Sequence, residues 1–133
     1  MTTSLPMTDD LKKYLIPAFE RKAKSITAIN VKKLTSYTDS LVIIEGNSQR
    51  QVTSMAEHLI KRLKDQKIKP LGSEGVKEGE WALIDYGHVI IHIFESKIKS
   101  LYDLEGLWAD APTIDLSEFG DPHESEEEDE DDS

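Results

Sequence analysis

Two apolar runs, residues 81–86 (WALIDY) and 89–94 (VIIHIF), are separated only by Gly87 and His88. A connection this short between β-rich runs reads as a hairpin. A third run, residues 40–45 (SLVIIE), is apolar on both faces and is expected at the centre of a sheet. Residues 26–34, with Ile26, Ala28, Ile29 and Val31, read as a further strand. Between the third run and the hairpin, Ser48 and Gln51 stand at capping-box spacing. Val52, Met55, Ala56, Leu59, Ile60 and Leu63 then mark one face of a helix reaching about Lys64. Helices and strands interleave, so the expected fold class is α/β: a mixed β-sheet with packed helices.

The ends are less regular. Residues 1–7 read as a frayed start, followed by Thr8 as a helix N-cap with Asp9 and Asp10 in the first turn. Leu11, Tyr14, Leu15, Ala18 and Phe19 follow at helical spacing, and Pro17 predicts a kink or break among them. Residues 72–79 read as a loop rich in Gly and Glu. Ser96 is expected to cap a last helix carrying Ile98, Leu101, Tyr102 and Glu105, with Leu107 and Trp108 near its end and Pro112 beyond it.

Charge divides the chain. The 133 residues carry 26 acids and 16 bases, a net charge of -10, but ten of the acids lie in residues 118–133, which hold no Lys or Arg. Such a segment cannot bury enough apolar surface to fold, so the chain reads as one domain over 1–117 and an acidic disordered tail over 118–133. Within the neutral body, residues 1–70 sum to +6 and residues 71–117 to -6. The first part offers a modest basic face, whereas the second suits a basic protein partner. The chain has no cysteine, which excludes disulfides, thiolate zinc sites and cysteine nucleophiles. No apolar run approaches the roughly 20 residues of a membrane span, and residues 1–10 show neither a signal nor a transit pattern. A cytoplasmic location is expected.

Several residues invite a chemical reading. His88 and His92 would stand about 13 Å apart along a strand, too far to share a zinc ion; His92 is expected as a partly buried group with one satisfied nitrogen, and His58 as facing solvent. Gly46-Asn47-Ser48, between a strand and a helix, could cradle a phosphate, but there is no GxxxxGK[ST]. Nucleotidyltransferases place paired strand carboxylates after such a turn; here Asp85 stands alone, with Gly87 two residues on. One carboxylate does not hold two ions. Asp85 equally suits a turn-organising role. Trp81 reads either as core or as an interface anchor, and Tyr102 and Trp108 share that ambiguity.

In order and spacing, Lys22-Ala23, Asp39-Ser40-Leu41-Val42-Ile43, residues 46–52 (GNSQRQV), Glu74-Gly75, residues 81–87 (WALIDYG), residues 89–94 (VIIHIF) and residues 102–108 (YDLEGLW) together resemble the ribosomal silencing factor (RsfS, Iojap) family. The resemblance spans roughly Leu11 to Ala111. It implies a nucleotidyltransferase-like fold without the catalytic carboxylates, and a non-enzymatic protein with no cofactor. Such a protein docks on the large ribosomal subunit through its ribosomal protein fourteen and blocks joining of the small subunit, lowering translation in starved or stationary cells. Trp81 corresponds to the family's interface Trp and Asp85 to its strand aspartate, with Tyr86 and Glu74 as flanking contacts. Ser40, His88 and Gly106 depart from the usual residues, and Gly106 is expected to fray the last helix.

Two other readings stand beside this one. A nucleotidyltransferase-like enzyme would show magnesium-dependent nucleotide turnover. A homodimeric scaffold would pair the hairpin edge with a second copy. Sequence-specific nucleic-acid binding is not expected. The tail reads as a solubilising extension, or as a device that repels ribosomal RNA or contacts basic ribosomal proteins.

Overall fold

A computed structural model of the chain describes residues 4–124. Its strands are β1 (Ser4–Leu5), β2 (Ser25–Asn30), β3 (Ser40–Gly46), β4 (Gly72–Glu74), β5 (Trp81–Asp85), β6 (Val89–Glu95) and β7 (Thr113–Ile114). Its helices are α1 (Asp9–Ala18), α2 (Gln49–Asp65), α3 (Ser96–Leu101) and α4 (Leu104–Leu107). All seven strands join one sheet in the order β1-β7-β2-β3-β6-β5-β4. The sheet is mixed: β3 and β6 run parallel at its centre, while β2 pairs antiparallel with β3, and β5 with β6.

Strand alternation divides the core in two. Ala28, Val42, Ile44, Ala82, Ile84, Ile91 and Ile93 face one side, where Leu11, Tyr14, Leu15 and Ala18 of α1 and Val52, Met55, Ala56, Leu59 and Leu63 of α2 cover them. Ile29, Leu41, Ile43, Ile90 and Phe94 face the other side, under Ile98, Leu104, Trp108 and Ala111. Each fully buried Leu, Ile or Phe contributes about 1.5–3 kcal/mol, and the two-sided burial explains why β3 and β6 carry apolar residues on both faces.

The helix signals act as side-chain chemistry. Thr8 accepts from Leu11 N–H at 3.2 Å and so caps α1. Ser48 Oγ accepts from Gln51 N–H at 3.1 Å, and Gln51 Oε1 reaches back to accept from Asn47 N–H at 2.6 Å. The hairpin forms as expected, with Gly87 at φ 89°, a value that a side chain disfavours. Thr38 Oγ1 donates to Gly87 O at 2.8 Å and ties the hairpin to the loop before β3.

Several expectations are corrected. Pro17 does not interrupt α1; it occupies the last turn, and the helix stops one residue later at Ala18. β2 ends at Asn30 rather than Leu34, because Asn30 Oδ1 accepts from Lys32 N–H at 2.9 Å and turns the chain. The first residues are not simply frayed, since β1 pairs with β7. Part of the expected loop over 72–79 is the edge strand β4. The last helix is two short ones: Glu95 rather than Ser96 caps α3, Tyr102 is extended, and Asp103 caps α4 by accepting from Gly106 N–H at 2.9 Å. A Cβ on Gly106 would run into the Asp103 carboxylate, so this glycine completes a cap rather than weakening a longer helix. Residues 118–124, which the charge count assigns to the tail, include parts of two 3-10 turns, at Ser117–Phe119 and Pro122–Glu124. The rest of the expected tail lies outside the described residues.

Candidate docking face

Of the four residues singled out from sequence, three share a face and one does not. Along β5, Trp81, Leu83 and Asp85 point to one side of the sheet, and Ala82 and Ile84 to the other. Glu74 of β4 is paired with Leu83, which places it on the same side. Tyr86 continues the opposite set. It is buried against Tyr14, ring centroids 5.2 Å apart, and belongs to the core beneath α1. The expectation that Tyr86 flanks a contact surface with Trp81 is therefore corrected by strand alternation. Its hydroxyl is buried without a hydrogen-bond partner among the described residues, and burial pushes its pKa up to about 12, with Tyr14 adding to the shift.

Trp81 is half-buried and braced from beneath. Its Nε1–H donates to His92 Nδ1 at 3.0 Å, and its ring lies 4.8 Å from that of Phe94. Because the indole is donor-only, His92 must present a bare Nδ1 and carry its proton on Nε2. Burial lowers the His92 pKa to about 4, so the imidazole is neutral at pH 7. The sequence expectation of one satisfied nitrogen on His92 holds, and its partner is Trp81 itself.

Tyr102 packs on the outer side of Trp81, ring centroids 4.9 Å apart. Tyr102, against the half-buried Trp81, is 51% exposed, and Leu101 at 75% and Leu107 at 72% exposure present further apolar side chains of α3 and α4 to solvent. An apolar cluster with an anchored aromatic is the composition of an interface core. Glu74 and Asp85 supply carboxylates at the β4–β5 border of the cluster. Asp85 also serves the hairpin, accepting from Gly87 N–H at 2.7 Å.

The sequence reading missed that Leu101 and Leu107 would lie outside. The signal was present in Asp103-Leu104-Glu105-Gly106, an N-cap followed by a glycine three residues on, which restarts the helix and rotates Leu101 and Leu107 away from the sheet. His58 also departs from expectation. It is largely buried, with Nε2 2.7 Å from Glu20 Oε1 and Nδ1 3.1 Å from an Arg21 guanidinium nitrogen. His88 bonds Asp10 at 2.8 Å and is remote from His92 in role. Among the described residues, no three His, Asp or Glu side chains cluster as a metal site would require. No helix among them is long and apolar enough to cross a membrane.

Residues 7–133 match the family model described as "Ribosomal silencing factor during starvation". The chain belongs to the ribosomal silencing factor family. It is 38% identical over 97 residues to the ribosomal silencing factor RsfS of Halalkalibacterium halodurans, covering 73% of this chain and 83% of that relative. With the Bacillus subtilis RsfS it shares 35% identity over 101 residues, covering 76% and 85%. A mouse relative, named for mitochondrial assembly of the ribosomal large subunit, is 32% identical over 92 residues, which cover 67% of this chain and 40% of that protein. Among solved structures, one from Chromobacterium violaceum superposes with a TM-score of 0.73 at 32% identity, covering 77% of this chain and 88% of that one. The silencing-factor fold in this member is thus the mixed α/β sheet described above, and the sequence resemblance to the family is confirmed.

Proposed function

We propose that this member of the ribosomal silencing factor family binds the large ribosomal subunit through the Trp81 face, and that its contact there is ribosomal protein fourteen. Occupying that surface blocks the small subunit from joining, which represses translation in the cytoplasm under starvation or in stationary phase. The observation that carries the reading is the braced Trp81 with the half-exposed Tyr102 ring packed on it, and Asp85 and the Leu83-paired Glu74 on the same side of the sheet. Apolar contact supplies affinity, and the carboxylates select a basic partner. The family name, and the large-subunit role in the name of the mouse relative, support the choice of partner. Neither a cofactor nor a catalytic group enters this mechanism.

The nucleotidyltransferase-like comparison bears on fold, and geometry opposes the enzymatic reading. Strand pairing puts Gly46 beside Glu95 but Asp85 beside Ile90, so the turn and the aspartate stand five residues apart along the sheet, about 16 Å. Within the turn, the Asn47 and Gln51 N–H groups are already bonded to Gln51 and Ser48 side chains. The homodimer reading draws support from the edge strand β4, all three of whose residues are exposed.

Sedimentation with separated ribosomal subunits tests the proposal. The expected result is co-migration with the large subunit alone, and fewer joined ribosomes when small subunits are added at permissive magnesium. A protein that stays at the top of the gradient at near-physiological salt overturns it.

A further inference from the structure

Tyr102 stands at the break between α3 and α4, and one side chain bridges that break. Lys99 Nζ, on α3, donates to Glu105 Oε1, on α4, at 2.9 Å. Residues six apart on one continuous helix point about 120° away from each other, so this bond belongs to the broken form alone. Lys99 Nζ also lies 4.0 Å from Oε1 of Glu45, near the end of β3. The ammonium thus joins three elements: β3, α3 and α4.

The bridge is partly withdrawn from water, with the Lys99 side chain 22% exposed and that of Glu45 14%. Solvent screens such charges less than it screens a pair on an open surface. Glu45 is a prepared anchor: Ser25 Oγ donates to its Oε1 at 3.1 Å, and Lys24 Nζ lies 3.5 Å from its Oε2. Burial by itself raises the Glu45 pKa, but the Ser96 and Ser25 hydroxyls, Lys24 and Lys99 outweigh it and hold the carboxyl below its ordinary value. The group is therefore an anion at neutral pH. The segment it anchors has little else to fix it. Neither α3 nor α4 contains a buried residue, and the Tyr102 side chain makes no hydrogen bond among the described residues. Lys99, Tyr102 and Glu105 line one small cleft over Ile43 and Phe94, and the Phe94 ring in turn lies 4.8 Å from that of Trp81.

We propose that Lys99 is the positioning residue of the Trp81 face. Its bridge from Glu45 to Glu105 sets the break between α3 and α4, and the break lays the Tyr102 ring on Trp81, centroids 4.9 Å apart. Lys99 acts through Tyr102 rather than by touching the partner. Its consequence for binding rests on the docking role proposed above; the positioning itself does not.

Lys99→Met, which keeps the stem and removes the charge, tests the bridge in two ways. Nuclear Overhauser contacts between the Tyr102 and Trp81 rings should weaken, while the urea midpoint stays close to the parent's. Affinity for isolated large subunits should fall by about threefold to fivefold, the worth of one ion pair at a partly exposed site. Lys99→Arg should restore both the ring contacts and the affinity. Lys99→Met combined with Glu105→Gln should cost no more than either alone, the mark of a shared interaction. Intact ring contacts in folded Lys99→Met overturn the proposal. So does a loss of affinity that tracks a falling urea midpoint, or one that Lys99→Arg does not rescue. A parent chain that fails to bind large subunits removes the docking reading instead, and the ring contacts then decide the role of Lys99 by themselves.

Discussion

The indole N–H of Trp81 donates to Nδ1 of His92 across adjacent strands, at 3.0 Å. The bond joins an interface candidate to a buried, neutral histidine, so the aromatic of β5 is positioned by a core side chain. A Trp held this way loses little freedom on binding, which favours affinity.

His92 gives the protein an acid sensitivity above the carboxylate range. Its folded pKa is pushed down to about 4 by burial, while the unfolded ring titrates near 6.5. The unfolded chain therefore holds the extra proton between these values. Stability from this group is complete above about pH 6.5 and is lost as pH falls toward 4, by about 3 kcal/mol in all. Glu20 acts in a lower window, because the Arg62 hydrogen bond, followed in weight by opposing burial and by the His58 hydrogen bond, holds its carboxyl below 4.5. Urea midpoints measured from pH 7.5 to 5 should fall for the parent and stay flatter for His92→Gln. Parallel profiles would remove His92 as the titrating group.

Trp81→Ala should weaken large-subunit binding roughly thirtyfold or more, the cost of removing about 2–4 kcal/mol from a buried interface aromatic. Because that substitution also leaves His92 Nδ1 unpaired, Tyr102→Ala is the cleaner companion. Tyr102 is half exposed and makes no hydrogen bond through its side chain among the described residues. It should lose binding severalfold while its unfolding midpoint stays within about 0.5 kcal/mol of the parent. Unchanged sedimentation of both folded variants would place the interface elsewhere.

Tyr86→Phe should behave oppositely. The hydroxyl is buried without a partner among the described residues, and removing it relieves a desolvation cost of about 1 kcal/mol. Chemical denaturation should show equal or higher stability, with ribosome binding unaltered. A loss of binding at unchanged stability would return Tyr86 to the contact surface.

Gly75→Ala should be destabilising by about 2 kcal/mol or more, since Gly75 sits at φ 73° and an added Cβ would meet the backbone carbonyl of Trp81. The loop before β5 would have to move, and the Trp81 ring with it. Reduced thermal stability together with a changed indole fluorescence maximum is the expected signature; a change in neither would show that the loop adapts freely.

The central elements were legible because their signals are local and mutually consistent. Residues 40–45 and 89–94 are apolar on both faces because both faces are covered, and Ser48 with Gln51 marks a helix start that the backbone then uses. Residues 81–86 look like one continuous motif in sequence, but the alternation of β5 sends neighbours to opposite layers and puts Tyr86 in the core beneath α1. His58 lies beside the apolar stripe of α2, and only the return of the chain at Glu20 and Arg21 buries it. β1, β4 and β7 have two or three residues each, too short for a hydrophobic period, and exist through pairing with distant partners.

The break between α3 and α4 lets the outer surface drift without endangering the protein. Neither helix contains a buried residue, so replacing Leu101, Tyr102 or Leu107 disturbs little of what holds the sheet together. This segment can therefore be rewritten one side chain at a time, while the Trp81–His92 pair beneath it stays as the fixed reference point.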